Sequence, residues 1–176
     1  MIANSRKGFE PGSRLYRPPQ QFLRGSFGRF ATGVAVVTLD TSSGRHGITV
    51  NSFTSVSMEP PLVLVSIGKT THTHDELAAR PFTVNVLGAE QEAIAMHFAG
   101  TPNVEPRWVE GEHSPRLSGV LSWFACTPWA AYDGGDHTLY VGEVQDYDYR
   151  RGDALGFVSG RFTVIPEYLP GHEALL

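Results

Sequence analysis

Short apolar runs, many of them rich in β-branched side chains, recur along the chain and predict a series of strands. These runs cover residues 34–39, 48–50, 62–67, 82–87, 121–131, 139–149 and 156–164. Apolar residues at helical spacing predict helices over 20–30 and 90–98, with a shorter helix over 75–79. Strands do not alternate regularly with helices, and no repeat is visible. The pattern therefore favours a mainly β fold, a closed antiparallel β-barrel with short helices.

The two ends of the chain lack this periodicity. Residues 1–17 mix charge, glycine and proline and are expected to form a flexible arm, while residues 171–176 form a short tail. Residues 18–170 are then a single domain. Within it, residues 101–118 form a loop containing proline and glycine, of the kind that often covers a binding site.

Composition excludes several classes of function. The net charge of −4 argues against a nucleic-acid partner, which needs clustered lysine and arginine. The single cysteine, Cys126, excludes an intramolecular disulfide and a multi-cysteine metal site, and its apolar surroundings predict a buried, inert thiol. The seven histidines form no metal-binding motif, so no metal is expected. No apolar run approaches the roughly 20 residues of a membrane span, and a cytoplasmic location is expected.

The stretch from residue 47 to 68 is the most informative part of the sequence. Two apolar strands there flank a segment with five neutral donors or acceptors and no charge: Thr49, Asn51, Ser52, Thr54 and Ser55. That composition suits an uncharged ligand with many hydrogen-bonding groups, carrying some phosphate. The alternative is an irregular strand whose hydroxyl groups bond their own backbone.

Three other positions carry candidate chemistry. The loop after this stretch contains Lys69, Thr71 and Thr73 in front of the predicted short helix, where they would either bind phosphate or cap the helix. Asn85 is an unexpected amide within a strand and would reach a ligand or a backbone group. His137 ends a glycine-rich turn at the rim of the barrel, where it would either contact a substrate or bond the turn backbone.

Familiar catalytic motifs are missing from the sequence. No GxSxG motif is present, and the lone cysteine lies in an apolar strand, so acyl transfer has no evident nucleophile. No GxGxxG follows a strand, which argues against dinucleotide binding in a Rossmann crevice.

Several motifs, taken in order, resemble the short-chain flavin reductase family, which supplies reduced flavin to two-component monooxygenases. They are TGVAVVT at 32–38, TVNSFTSVSMEPPLVLVSI at 49–67, FTVNVL at 82–87, GDH at 135–137 and YVGEV at 140–144. The resemblance implies an FMN-binding split β-barrel of Greek-key antiparallel strands, usually a homodimer with flavin near the subunit interface. It also implies hydride transfer from NADH or NADPH to FAD or FMN, and delivery of reduced flavin to a separate monooxygenase.

Site residues follow from the resemblance, position by position. The contacts to the flavin ring would be Thr49, Val50, Asn51, Ser52, Thr54 and Ser55. The ribityl and phosphate end would be held by Ser66, Lys69, Thr71 and Thr73, with Asn85 nearby. His137, as the catalytic residue, and Phe162 would adjoin the nicotinamide. Phe162 stands where the family often has tyrosine. The segment 105–108 departs from the family's usual acidic-Arg-Phe element, so whether Arg107 and Trp108 form a lid over the site is an open question.

The missing acid–base motifs are consistent with such an enzyme, because in hydride transfer between two cofactors the protein mainly positions the rings. Two alternatives use a related barrel. One is a flavin-binding protein without turnover. The other is an oxidase of the pyridoxamine-phosphate type, which would need more arginine and lysine around its substrate. A haem-binding split barrel is a further alternative, but none of the histidine positions supports it as a haem ligand.

Overall fold

A computed structural model describes residues 20–167, so the predicted arm (1–17) and tail (171–176) lie outside the described residues. Its helices are α1 (Gln20–Phe27) and α2 (Glu92–Phe98), the latter preceded by a 3-10 turn at Ala89–Gln91. The first six strands are β1 (Thr32–Gly33), β2 (Ala35–Thr41), β3 (Gly44–Val50), β4 (Thr54–Met58), β5 (Pro61–Gly68) and β6 (Phe82–Val86). The last six are β7 (Trp108–Val109), β8 (Arg116–Leu117), β9 (Ser122–Gly134), β10 (His137–Tyr149), β11 (Ala154–Val158) and β12 (Arg161–Ile165). The mainly β prediction is confirmed.

Seven strands form one antiparallel sheet in the order β3-β2-β6-β9-β10-β5-β4. Its first and last strands, β3 and β4, are consecutive in sequence and joined only through residues 51–53. Four Cα–Cα steps of 3.8 Å span at most about 15 Å. Seven strands lying flat would place the outer two about 29 Å apart, at about 4.8 Å per strand. The connection is too short for a flat sheet, so the sheet must curl until its ends approach each other.

Apolar side chains pack on both faces of this curved sheet. The inner cluster includes Val37, Leu39, Val65, Ile67, Phe82 and Val84. The outer cluster, packed with α2 and β11, includes Val34, Val36, Leu87, Ala95, Leu117 and Leu155. Successive residues of β2 alternate between the two clusters, which explains why that strand is an unbroken apolar run in the sequence.

A second, smaller sheet has the order β1-β11-β12. The segment predicted as one strand over 156–164 is in fact the hairpin of β11 and β12, turning at Ser159 and Gly160, whose φ angles are 51° and 78°. Both residues lie in the left-handed region, which an unbroken strand does not use. The single-strand prediction is therefore wrong.

Two helix predictions also need correction. Residues 75–79 form consecutive turns, not a helix. Helix α1 ends at Phe27 instead of at residue 30, and its apolar side chains stay exposed, with Phe22 64% and Phe27 69% accessible. Neither described helix has the length and apolar character needed to cross a membrane.

Gly142 is required by close packing at a bulge between β10 and β9. A Cβ atom built there would lie 2.6 Å from Cζ of Phe82 and 2.8 Å from Cβ of Cys126, two fully buried residues. Neither neighbour is a flexible surface side chain that can move aside.

Gly142→Ala is therefore expected to lower the free energy of unfolding by about 1–3 kcal/mol through overpacking. Thermal unfolding would show this as a decrease in Tm of about 2–4 °C per kcal/mol. The matched control is Gly25→Ala in α1, where no heavy atom lies within 4 Å of the added Cβ. An unchanged Tm for Gly142→Ala would contradict the packing argument.

Candidate functional site

The short connection between β3 and β4 is the centre of the candidate site. We call residues 49–55 the ribbon. The hydroxyl of Ser52 donates to the carbonyl oxygen of Ser66 (3.0 Å) and accepts from the Ser66 backbone nitrogen (2.9 Å). Thr49 Oγ1 donates to the carbonyl oxygen of Ala95 at 2.7 Å. These two ribbon hydroxyls thus bond protein backbone, as the alternative interpretation expects, and they fix the ribbon against β5 and α2.

As far as residues 20–167 are concerned, the other three polar side chains of the ribbon are available to a ligand. Asn51, Thr54 and Ser55 are exposed, and within residues 20–167 their side chains make no hydrogen bond. They line a cleft of about 560 Å³, which we call the ribbon cleft. Its walls are residues 30–35, residues 51–55 and Val86.

A second cleft adjoins the first. It has a volume of about 750 Å³, and we call it the His137 cleft. It is lined by Arg24, Phe27, Gly28, Phe30, Thr32, Asn51, His137, Phe157 and Gly160. Phe30, Thr32 and Asn51 belong to both clefts, so Asn51 stands where the two meet. The arrangement offers adjoining spaces for two ligands that share one contact point.

Thr32 carries an unusual hydroxyl at this junction. Its Oγ1 is buried and has no hydrogen-bond partner within the described part of the chain. A buried polar group without a partner costs about 1–3 kcal/mol. An uncharged ligand with polar ring atoms at the junction would supply the partner, so the residues present fit a flavin ring beside the ribbon.

His137 begins β10 and is oriented by the residue before it. Its Nδ1 lies 2.7 Å from Oδ1 of Asp136, and its side chain is 46% accessible. The hydrogen bond from His137, followed by the charge of its imidazolium form, lowers the pKa of Asp136 below the usual carboxyl value. An ionised carboxylate only accepts, so the shared hydrogen is on Nδ1 and Nε2 is left for a ligand.

The loop after β5 supports the turn that carries His137. The Lys69 backbone nitrogen donates to the Asp136 carbonyl oxygen at 3.0 Å, and the Lys69 ammonium group pairs with the Asp133 carboxylate. That hydrogen bond and charge lower the pKa of Asp133. Thr71 Oγ1 donates to the Gly68 carbonyl oxygen at 2.9 Å, and Thr73 is buried. Neither cleft is lined by the predicted phosphate-binding side chains, which are Ser66, Lys69, Thr71 and Thr73.

Asn85 is placed in the core, away from both clefts. It is 0% exposed. Its Nδ2 donates to the Val36 carbonyl oxygen (2.9 Å) and to Thr38 Oγ1 (2.9 Å), and its Oδ1 accepts from the Leu117 backbone nitrogen (2.8 Å). Its amide nitrogen and its carbonyl oxygen thus both have partners within the protein. The expectation of a cofactor contact is therefore corrected, and the alternative of a backbone partner describes Asn85.

Thr49, Val50 and Phe162 line a small pocket of about 210 Å³ next to Asn51. The Phe162 ring packs edge-to-face against Phe157, with centroids 5.4 Å apart, and Phe157 is the one that reaches the His137 cleft. Phe162 thus lies behind a wall of that cleft.

The open question of a lid by Arg107 and Trp108 is decided by packing. Trp108 is in β7, paired with β8, and its ring lies edge-on to Phe98 at 5.9 Å and beneath the Arg45 guanidinium at 5.7 Å. Neither Arg107 nor Trp108 lines the ribbon cleft or the His137 cleft. Over residues 20–167, no group of three or more His, Cys, Asp or Glu is arranged to hold a metal ion.

Sequence reasoning missed Arg24, Phe27, Phe30, Thr32 and Phe157 as cleft residues. Phe27 and Phe30 fall in the helix predicted over 20–30, and the apolar residues of an amphipathic helix usually face the core. Thr32 begins the motif TGVAVVT, which was recognised without a role for its hydroxyl. Only the fold brings α1 and β11 to His137.

Comparisons with known proteins show the family to which the chain is similar. Residues 27–166 match the family model described as Flavin reductase like domain. The chain is 46% identical over 166 residues to the NADH-dependent FAD reductase of Streptomyces globisporus, covering 86% of this chain and 90% of that protein. It is 41% identical over 158 residues to FMN reductase (NADH) SmoA of Agrobacterium fabrum, covering 88% of each.

A third relative is the reductase component of 4-hydroxyphenylacetate 3-monooxygenase from Thermus thermophilus, 35% identical over 130 residues, covering 73% of this chain and 85% of that protein. Among solved structures, the Streptomyces globisporus NADH:FAD oxidoreductase SgcE6 in complex with NAD and FAD fragments superposes with a TM-score of 0.80. That match has 38% identity and covers 92% of this chain and 100% of that chain.

The two asparagines near the site are expected to respond differently to substitution. Asn85→Ala leaves buried backbone and hydroxyl groups without partners and should lower the free energy of unfolding by about 1–3 kcal/mol, measured by denaturant titration. Asn51→Ala, at the exposed junction, is the matched control and should leave stability unchanged. If Asn85→Ala instead keeps full stability and lowers ligand affinity, Asn85 belongs to the site after all.

Proposed function

The chain belongs to the flavin reductase like domain family, and from that membership we propose that it uses NADH to reduce FAD or FMN, with the two rings meeting at Asn51. The observation that carries this proposal is the junction of the ribbon cleft and the His137 cleft, where uncharged hydrogen-bonding groups adjoin an oriented histidine.

The activity follows the family. The protein is an NAD(P)H-dependent flavin reductase, an oxidoreductase on a split β-barrel. Two of the relatives above are named NADH-dependent, one an FAD reductase and the other an FMN reductase. When bound, flavin accepts a hydride from the nicotinamide, and the cofactors supply that chemistry themselves. The work left to the chain is binding, orientation and exclusion of water.

The ribbon is proposed to hold the flavin ring. Asn51, Thr54 and Ser55 offer neutral donors and acceptors on the ribbon cleft, and Thr32 adds a hydroxyl that has no partner among the described residues. Preorganised neutral donors at the polar edge of the ring favour the negative charge that develops there during reduction. The Ser52 hydroxyl contributes by fixing the ribbon to β5.

His137 is proposed to bind the nicotinamide. Asp136 holds Nδ1, which leaves Nε2 to form a hydrogen bond with the carboxamide group of the substrate. This contact would set the position of the ring and would not transfer a proton. The buried Cys126 takes no part, because burial raises the pKa of its thiol to about 12.

The partner is proposed to be a separate flavin-dependent monooxygenase, since the Thermus thermophilus relative is named a monooxygenase reductase component.

A homodimer is also proposed. The edge strand β4 leaves Val56 50% and Met58 89% exposed beside an apolar groove lined by Phe53 and Phe124, a surface that a second copy would cover. A cytoplasmic location completes the proposal, in keeping with a single, reduced cysteine.

The relatives also separate the main proposal from the alternatives. A binding protein without turnover and an oxidase of the pyridoxamine-phosphate type share the barrel, but the close relatives are named NADH-dependent reductases. The discriminating test is to mix the protein with NADH and FAD or FMN without oxygen and follow the flavin absorbance. Bleaching at a rate proportional to protein concentration supports a reductase. Flavin binding without bleaching would identify a binding protein.

His137→Ala is expected to raise the KM for NADH about 5- to 10-fold, the effect of losing about one hydrogen bond, and to leave the Kd for flavin unchanged. Steady-state kinetics and fluorescence titration measure the two quantities. His46→Ala, at the far end of the β2–β3 hairpin, is the matched control. Unaltered NADH kinetics in His137→Ala would remove this residue from the site.

Thr54→Val keeps the shape of the side chain but removes its hydroxyl from the ribbon cleft. It should raise the Kd for FMN and FAD about 3- to 10-fold, with NADH affinity unaffected. Ser57→Ala on the same strand lies outside that cleft and serves as the control. Equal flavin affinity in wild type and Thr54→Val would show that the ring does not contact Thr54.

A further inference from the structure

Arg24 is a cation on the wall of the His137 cleft. It lies in the last turn of α1, is exposed, and forms no ion pair within residues 20–167. Of the other nine Lys and Arg side chains in residues 20–167, five pair with a carboxylate: Arg45, Lys69, Arg80, Arg150 and Arg151. Arg24 is thus a charge available to an anionic ligand in a protein whose net charge is −4.

Two further arginines lie close to the same corner of the fold. The Ser159 backbone nitrogen donates to the Gly28 carbonyl oxygen at 2.7 Å and joins the end of α1 to the β11–β12 turn. Arg29 follows Gly28, and Arg161 follows Gly160, which itself lines the His137 cleft. Both arginines are exposed and lack an ion pair in the part of the chain described. Three arginines at one corner create a locally positive potential.

The rest of the cleft specifies the kind of anion. Phe27, Phe30 and Phe157 provide aromatic surfaces for flat rings, and His137 offers its free Nε2. A nicotinamide dinucleotide combines a flat ring with a diphosphate that carries two negative charges. Arg24 lines the His137 cleft and not the ribbon cleft, so it faces the proposed nicotinamide space and not the proposed flavin space.

We infer that Arg24, assisted at longer range by Arg29 and Arg161, binds the diphosphate of the nicotinamide dinucleotide whose ring contacts His137. This inference rests on the proposed function, and it gives the hydride donor a second anchor at the end of α1. The planar guanidinium suits this role because it forms paired hydrogen bonds to phosphate oxygens. Affinity for NADH then depends on α1, which makes no contribution to the hydrophobic core.

The test compares two hydride donors in wild type and Arg24→Gln. With NADH, the substitution should raise KM about 5- to 10-fold, a moderate loss because the arginine is exposed and screened by salt. With 1-benzyl-1,4-dihydronicotinamide, which has no phosphate, the kinetics of the two proteins should be equal. Arg24→Lys, which keeps the charge without the planar fork, should fall between them.

Flavin titration distinguishes whether Arg24 binds the diphosphate of the nicotinamide dinucleotide or the phosphate of the flavin. Arg24→Gln should leave the Kd values of riboflavin, FMN and FAD unchanged. A weaker affinity for FMN and FAD, with riboflavin unaffected, would assign Arg24 to the flavin phosphate and overturn the inference. Arg151→Gln is the matched control, because Arg151 precedes β11 at the end of the hairpin opposite the Ser159–Gly160 turn.

A binding measurement with NAD⁺, which requires no hydride transfer, tests the Arg24 contact separately from the reductase activity. Calorimetric titration with NAD⁺ should show a 5- to 10-fold higher Kd for Arg24→Gln, by the same loss of about one charge-assisted contact. If NAD⁺ binds wild type more tightly than Arg24→Gln, but wild type reduces no flavin, the proposed function fails and the Arg24 contact stands. An unchanged Kd for NAD⁺, or an equal loss with both hydride donors, would overturn the inference.

Discussion

The hydrogen-bonded clamp between Ser52 and Ser66 is the interaction on which the site depends. It joins the ribbon, which leaves one end of the seven-stranded sheet, to β5 near the other end, and so fixes the seam where the sheet closes. With Ser52 and Thr49 committed to backbone partners, Asn51, Thr54 and Ser55 are left as the exposed polar side chains of the ribbon. A barrel that closes at its own polar connection thereby presents an ordered row of neutral groups at its surface.

The position of the two clefts follows from that closure. The ribbon supplies residues 51–55 to the ribbon cleft and Asn51 to the His137 cleft, and Phe30 and Thr32 line both. His137 reaches the second cleft because β10 pairs with β5 from its first residue, opposite Gly68. The GDH turn is in addition tied to the loop after β5 through Lys69. His137 is thus positioned by the pairing of strands that are distant in sequence, whereas Asn51 lies in the short connection between β3 and β4.

The amino-acid pattern anticipated the fold better than the individual contacts. Buried strands such as β2, β5 and β6 are visible as apolar runs, because burial on the sheet leaves a direct mark on composition. The turn at Ser159 and Gly160 was missed although Ser-Gly is a dipeptide typical of turns, because the apolar runs on its two sides together predict one strand. The ion pair between Lys69 and Asp133 was not predicted, because the two residues are 64 positions apart and become neighbours only when the β9–β10 hairpin pairs with β5. Asn85 is similar, since the backbone nitrogen of Leu117, which donates to its Oδ1, lies in another strand.

The depth of Cys126 has a consequence for a protein that works with reduced flavin. Free reduced flavin reacts with dissolved oxygen and yields hydrogen peroxide, which attacks thiolates far faster than thiols. The only sulfhydryl group of the chain is fully enclosed by the inner cluster, and its raised pKa keeps the proton in place. The thiol of this reductase is therefore protected from oxidation by the hydrogen peroxide that forms when reduced flavin escapes and reacts with oxygen.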